Sequence, residues 1–149
     1  MDNPQRDEVI ALEIETCWSL LKTQILGRLA FAAERVEIFP VNYLVNERSI
    51  YFASAPGTKL MELAQNPDVA FEVDGIASHD LWSVIIHGRT KRLARDFEIE
   101  GSGILQLQPW HPTPKHNYIR ITADEITGRR FRRPGADANK PPHRCGVEV

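Results

Sequence analysis

Ile50-Tyr51-Phe52-Ala53-Ser54-Ala55-Pro56-Gly57-Thr58-Lys59-Leu60 changes its periodicity halfway along, and the rest of the chain can be placed around that change. Residues 50–54 alternate as a half-buried strand does, Pro56-Gly57 is turn chemistry, and residues 58–65 return to a helical spacing. A strand emptying through a Pro-Gly turn into a helix leaves the first backbone N–H groups of that helix without intrahelical partners, which makes the turn an anion-ready site. Lys59 adds an electrostatic reason. A lysine in the first helical turn faces the positive end of the dipole, a misplacement of roughly 0.3–1 kcal/mol unless an anion lies there too. A plain loop with a solvated lysine would look the same at this length.

Upstream, Ile14, Cys17, Trp18 and Leu21 fall at i, i+3, i+4 and i+7, the stripe of an amphipathic helix over residues 13–22 packed on a core. Short apolar runs separated by turn residues follow at 28–33, 36–45 and 49–54, which predicts three strands in an antiparallel meander. Pro40 interrupts the second of them. Because proline cannot donate to a ladder, it marks an edge, a bulge or a stretch where something other than a strand lies alongside.

Downstream, Asn66-Pro67 stops the helix after about two turns. A strand at 69–74, a polar loop at 75–80 and a long strand at 81–93 are expected next. Residues 96–107 are weakly helical, with Gly101 and Gly103 against continuity, and 108–115 are irregular. Two closing strands are predicted at 118–122 and 126–131. Six or seven short strands, two or three short helices and hairpin-length connections argue for a mainly β fold, an antiparallel barrel in preference to a sandwich. A single domain over residues 1–131 with a loose or partner-docked tail at 132–149 is expected. So many strands from a short chain leave edges that a second copy would cover, so a homodimer is expected as well.

At 149 residues the chain can bury a sizeable core without staples. Its formal net charge of -2, from 18 basic against 20 acidic residues, leaves no basic footprint for nucleic acid or an anionic membrane. Residues 1–6 are polar, no run nears the roughly 18 apolar residues of a membrane span, and Cys17 and Cys145 suggest neither a disulfide nor a metal knuckle. An untargeted, cytoplasmic protein is expected.

No Ser/His/Asp arrangement and no Gly-x-Ser-x-Gly turn supports a protein nucleophile, so no catalytic side chain is assigned. His79, His87, His111, His116 and His143 are scattered, and no metal site is expected. Glu72 and Asp74 share one strand face, which suits a carboxylate pair, but cross-strand pairing with Arg89 or Lys91 is the simpler expectation. A chain without its own acid, base or nucleophile can still work if a cofactor carries the chemistry.

Taken in order, Gly27-Arg28-Leu29-Ala30, Phe39-Pro40-Val41-Asn42-Tyr43, Phe52-Ala53-Ser54, Gly57-Thr58-Lys59-Leu60, Asn66-Pro67-Asp68-Val69-Ala70-Phe71 and Trp82-Ser83-Val84-Ile85-Ile86-His87-Gly88-Arg89 resemble the pyridoxamine 5'-phosphate oxidase-like family of flavin-binding split barrels. The resemblance covers residues 12–131. Its short, actinobacterial-type branch similarly carries a Pro-Gly-Thr-Lys turn and a Pro-Trp segment followed by an Ile-Thr-Gly-Arg strand, here Pro109-Trp110 and residues 126–129.

The resemblance implies a flavin, FMN in preference to a deazaflavin. Its ring would lie along the backbone of Phe39, Pro40, Val41 and Asn42, and its phosphate in the turn held by Ser54, Thr58 and Lys59. It further implies a cofactor at a homodimer interface, with Ser83 reaching it from the neighbouring subunit. Trp82 and Trp110 become candidates to wall the ring, with ordinary packing as the alternative, and Arg28 is left structural. True pyridoxamine-phosphate oxidases carry Arg and Lys on the second strand and a C-terminal Arg-x-His element. Here the strand offers Phe39 and Asn42, and Arg120-Ile121-Thr122 lacks the histidine, which argues against vitamin B6 oxidation. The resulting expectation is an FMN-dependent oxidoreductase acting on a small molecule. The alternatives are a non-catalytic flavin-binding or sensing module, a deazaflavin-dependent reductase, and a haem binder using His87, His111 or His116.

Overall fold

A computed structural model describes residues 9–106 and 117–132. The described elements are β1 (Val9–Ala11), α1 (Ile14–Leu21), β2 (Leu26–Ala32), β3 (Val36–Asn46), β4 (Ser49–Ser54), α2 (Thr58–Gln65), β5 (Asp68–Ala77), β6 (Asp80–Arg92), α3 (Asp96–Ser102), a 3-10 turn (Ile104–Gln106) and β7 (Asn117–Phe131). Every strand pairing is antiparallel, in the order β1-β7-β4-β3-β2-β5-β6. A further pairing of β6 with β7 joins the two flanks, so that β2 to β7 form a ring and β1 hangs on its outside. This is the expected antiparallel barrel of split type.

Tight turns set the registers. Glu47 and Arg48 between β3 and β4, and Ser78 and His79 between β5 and β6, all have positive φ. Two such residues in a row make the turn whose twist matches a hairpin. The polar loop expected at 75–80 is therefore only a two-residue turn, because β5 runs on to Ala77 and β6 begins at Asp80.

The two closing strands expected at 118–122 and 126–131 are one strand, β7. Its first half pairs with β4 and almost its whole length with β6. Continuity is possible because a bulge absorbs the polar interruption: His87 pairs with Glu125 and Gly88 with Ala123, leaving Asp124 without an opposite number. At that point the strands come so close that a Cβ on Gly88 would lie 2.2 Å from the Thr122 carbonyl oxygen. Only glycine fits. The helix expected weakly at 96–107 stops at Ser102, where Gly103 takes φ +80.

Inside the ring, Leu29 and Phe31, Val41 and Tyr43, Ile50 and Phe52, Phe71 and Val73, Val84 and Ile86, and Ile119 and Ile121 form one buried cluster. The strand period puts alternate residues on that face. The stripe of α1 joins the same cluster through Cys17, Trp18 and Leu21, and the Tyr43 hydroxyl donates to the Leu21 carbonyl. Burial raises the pKa of Tyr43, so the phenol keeps that proton. A smaller cluster on the outer face, Tyr51, Leu93 and Ile104, is where the 3-10 turn after α3 is seated.

The expected partnership of Glu72 and Asp74 with Arg89 or Lys91 is overturned. Arg28 on β2 donates to both carboxylates, at 3.0 Å and 3.3 Å, and Arg89 bridges Asp68 instead. The cause is register. Arg28 stands directly opposite Glu72, whereas Arg89 stands opposite Asp68. The Glu72 carboxyl is still pushed up, by burial first and then by Asp74 beside it, against the pull of Arg28.

Candidate functional site

The turn from β4 into α2 forms as the sequence predicts. Ser54 is buried at the end of β4 and its hydroxyl donates to the Ala55 carbonyl at 3.2 Å. Gly57 precedes α2 in extended conformation, and no side chain caps the helix, so its first N–H groups have no side-chain acceptor. Thr58 is exposed at the first helical position.

Lys59 turns inward. Its ammonium lies 4.6 Å from the centroid of the Phe39 ring, which itself stacks on Phe31 at 5.7 Å and 16°. Half-burial lowers the lysine pKa, because the charged form has lost water. Among the described residues no carboxylate stands within salt-bridge reach of it. The ring face compensates only part of that loss, since a cation over an aromatic gains about 0.5–2 kcal/mol. Sequence reasoning had put Phe39 at one end of a ligand and Lys59 at the other. The fold puts them in contact.

β3 supplies a second feature. Among the described residues only Tyr43–Asn46 of β3 pair with β4, so no described strand pairs residues 36–41 on that side, while β2 holds the other. The Tyr43 N–H bonds the Ile25 carbonyl on the β2 side. By alternation the Pro40 nitrogen points to the open edge, where no ladder bond is lost. Along this stretch Val41 is buried, Phe39 and Asn42 are half-buried and Pro40 is exposed. The edge lies next to the chain leaving β4 toward α2.

Ser83 and Trp82 stand on β6, with β5 and β2 between them and β3 in the sheet. Ser83 is half-buried between Asp74 and Arg129. Trp82 is only 2 % exposed, and a Cβ on Gly75 would come within 2.8 Å of its indole. That is core packing of the β5–β6 hairpin. Trp110, like His111 and His116, lies outside the described residues. The structure adds Phe31, which sequence reasoning missed. Its signal was only its place opposite the Phe39 strand, and the stack needs the β2–β3 register to exist.

Among the described residues no group of three or more His, Cys, Asp or Glu side chains could hold a metal, and no helix is long and apolar enough to cross a membrane. The assembled chemistry is a hydroxyl, a helix N-terminus and an uncompensated ammonium at one end of an open strand edge.

The family model described as pyridoxamine 5'-phosphate oxidase matches residues 13–130. A Corynebacterium glutamicum structure bearing the pyridoxamine 5'-phosphate oxidase name is 36% identical, with TM-score 0.77 over 85% of this chain and 100% of that one. The structure of an FAD-binding protein from Mycobacterium smegmatis is 34% identical, with TM-score 0.72 over 84% of this chain and 100% of that one. An uncharacterized Mycobacterium tuberculosis protein is 37% identical over 89 residues, which is 60% of this chain and 81% of the relative.

Proposed function

We propose, from the premise that this chain belongs to the pyridoxamine 5'-phosphate oxidase family, that it binds FMN and acts as a flavin-dependent oxidoreductase on a small molecule. The observation that carries the reading is Lys59, a half-buried cation without a carboxylate partner among the described residues, next to an uncapped helix start. A phosphate dianion is what such a site lacks, since it accepts from the ammonium, the Thr58 hydroxyl and the helix N–H groups together. The edge of residues 36–41, which no described strand pairs, offers backbone groups along which a planar ring can lie, with Phe39 as an apolar neighbour.

The bound flavin would supply the two-electron chemistry. The chain's own part is to anchor the phosphate through Thr58 and Lys59, to orient the ring along β3, and to exclude water with apolar walls. No side chain is assigned a catalytic role. In this reading Ser83 serves the site of a second copy, in a homodimer with the cofactor between subunits. The arginine and lysine that true vitamin B6 oxidases carry on the second strand are replaced by Phe39 and Asn42, and the substrate is accordingly taken to be other than a B6 vitamer.

A second reading concerns the flavin. The Mycobacterium smegmatis relative is named as an FAD-binding protein, which favours FAD as the alternative to FMN. Mass spectrometry of the small molecule released on denaturation separates the two. FMN is expected, FAD would correct the cofactor while keeping the site, and a colourless protein unable to take up either would overturn the proposal. Oxidation of reduced nicotinamide with oxygen, a quinone or a nitro compound as acceptor then distinguishes an enzyme from a flavin-binding module.

A further inference from the structure

At the end of the barrel covered by α2, the helix does not fill the mouth. A cavity of about 310 Å³ remains, walled by Leu60, Ala64 and Pro67 on the helix side and Ile119 on β7, with Thr90 and Arg92 of β6 at its rim. The gap follows from the sequence. α2 is only eight residues long and is ended by Asn66-Pro67, and Ala64 offers one methyl group where a leucine would reach the strand. The volume is at the small end of the range that small-molecule sites occupy.

The lining has a definite chemistry. Among the described residues it is mainly apolar and contains no acidic side chain. The Thr90 hydroxyl donates to the Pro67 carbonyl at 3.3 Å, so its proton is engaged. Arg92 remains. Its guanidinium has no carboxylate within salt-bridge distance among the described residues, whereas its strand neighbour Arg89 bridges Asp68. An apolar cavity with one planar cation at its rim that no described carboxylate pairs complements a molecule with an apolar body and one carboxylate.

We propose that this cavity binds a small monocarboxylic acid with an aromatic or branched apolar body, its carboxylate on Arg92 and its body against Leu60, Ala64 and Ile119. The site is separate from the one proposed for the flavin, because none of its lining residues is assigned to that cofactor. The two adjoin only through α2, where Leu60 follows Lys59.

Calorimetric titration of the full chain with phenylbutyrate, and with neutral phenylbutyramide as control, tests the assignment. The acid should bind and the amide should bind at least about tenfold more weakly. Arg92→Gln should remove that preference. Ala64→Leu, at an exposed helix position, should abolish binding of the acid by filling the chamber while leaving FMN uptake and far-UV dichroism unchanged. Saturating FMN should not displace the acid. The proposal is overturned if neither probe binds, if acid and amide bind alike, if Arg92→Gln has no effect, or if FMN competes, which would make the cavity part of the flavin site. Failure of FMN to bind at all would leave the acid titration as it is and count against the flavin proposal alone.

Discussion

Lys59 shows how far a single residue could be read in advance. Its position two residues after Gly57, in the first turn of a helix, already marked it as a cation out of place. That it would lie over Phe39 could not be read, because 20 residues and two turns separate them. If the ammonium holds a phosphate, Lys59→Ala should weaken FMN binding by about 1.5–3 kcal/mol through loss of a charge-assisted contact. Fluorescence titration of free FMN measures this, and an unchanged affinity would refute the anchor.

The lowered pKa of Lys59 gives a pH signature with a definite sign. A bound anion favours the ammonium, so FMN affinity should hold on the acid side of the lowered pKa and fall as pH rises through it, before an ordinary lysine would titrate. In Lys59→Ala that alkaline fall should vanish. Without ligand the sign reverses. The unfolded chain holds the proton more tightly between the lowered value and the ordinary 10.5, so folding stability should rise with pH across that window. Urea unfolding at several alkaline pH values checks it. An unchanged stability slope in Lys59→Ala would assign the effect elsewhere.

Glu72 gives the complementary case at the acid end. Its pKa is raised by burial and by Asp74. The folded state therefore binds more protons than the unfolded chain just above pH 4.5, and this contribution to stability, complete below that value, is lost as pH rises through the raised pKa. Glu72→Gln should flatten stability against pH in that interval, read from urea midpoints, and an unaltered slope would show that Glu72 is not the group that takes up the proton. The sequence did place Glu72 and Asp74 on one face. Their partner Arg28 depended on which strand lay alongside β5, and periodicity does not carry that information.

Among the elements, β3 and β7 are where the reading of the chain met its limits. Of the edge, bulge or non-strand neighbour that Pro40 announces, the edge fits: among the described residues, 36–41 of β3 pair on the β2 side only. For β7 the interruption at 123–125, with Asp124 and Glu125, reads as a turn between two strands. It forms a bulge instead, because β6 is long enough to template both halves. Gly88 is the hinge of that pairing. Gly88→Ala should cost on the order of 3 kcal/mol, since a methyl group 2.2 Å from the Thr122 carbonyl oxygen forces the closing strands apart. Chemical denaturation measures the loss, and a variant within about 0.5 kcal/mol of the parent would show that the bulge can relax.

The whole molecule has to account for Ser83, which stands on β6 with β5 and β2 between it and β3 in the sheet. A homodimer in which each flavin site takes Lys59 from one copy and Ser83 from the other predicts complementation. When Lys59→Ala and Ser83→Ala protomers, each defective alone, are refolded together, roughly a quarter of all sites should regain full FMN affinity. Titration of the mixture reads this directly. If both residues served the same chain, or if sedimentation showed a monomer, no site would recover.

The α1 stripe, the antiparallel meander of β2 to β4 and the strand–turn–helix passage from β4 into α2 followed from the sequence alone. All of them rest on local chemistry, on the spacing of apolar residues and on the habits of Pro, Gly and Asn within a few positions. The closing pairing of β6 with β7, the partner of Arg28, the seat of Lys59 over Phe39 and the chamber beside α2 were decided by the tertiary structure. Each joins segments 20 or more residues apart or depends on how completely a short helix fills a barrel end. Such contacts are set by strand register and packing volume, which no local stretch of the chain encodes.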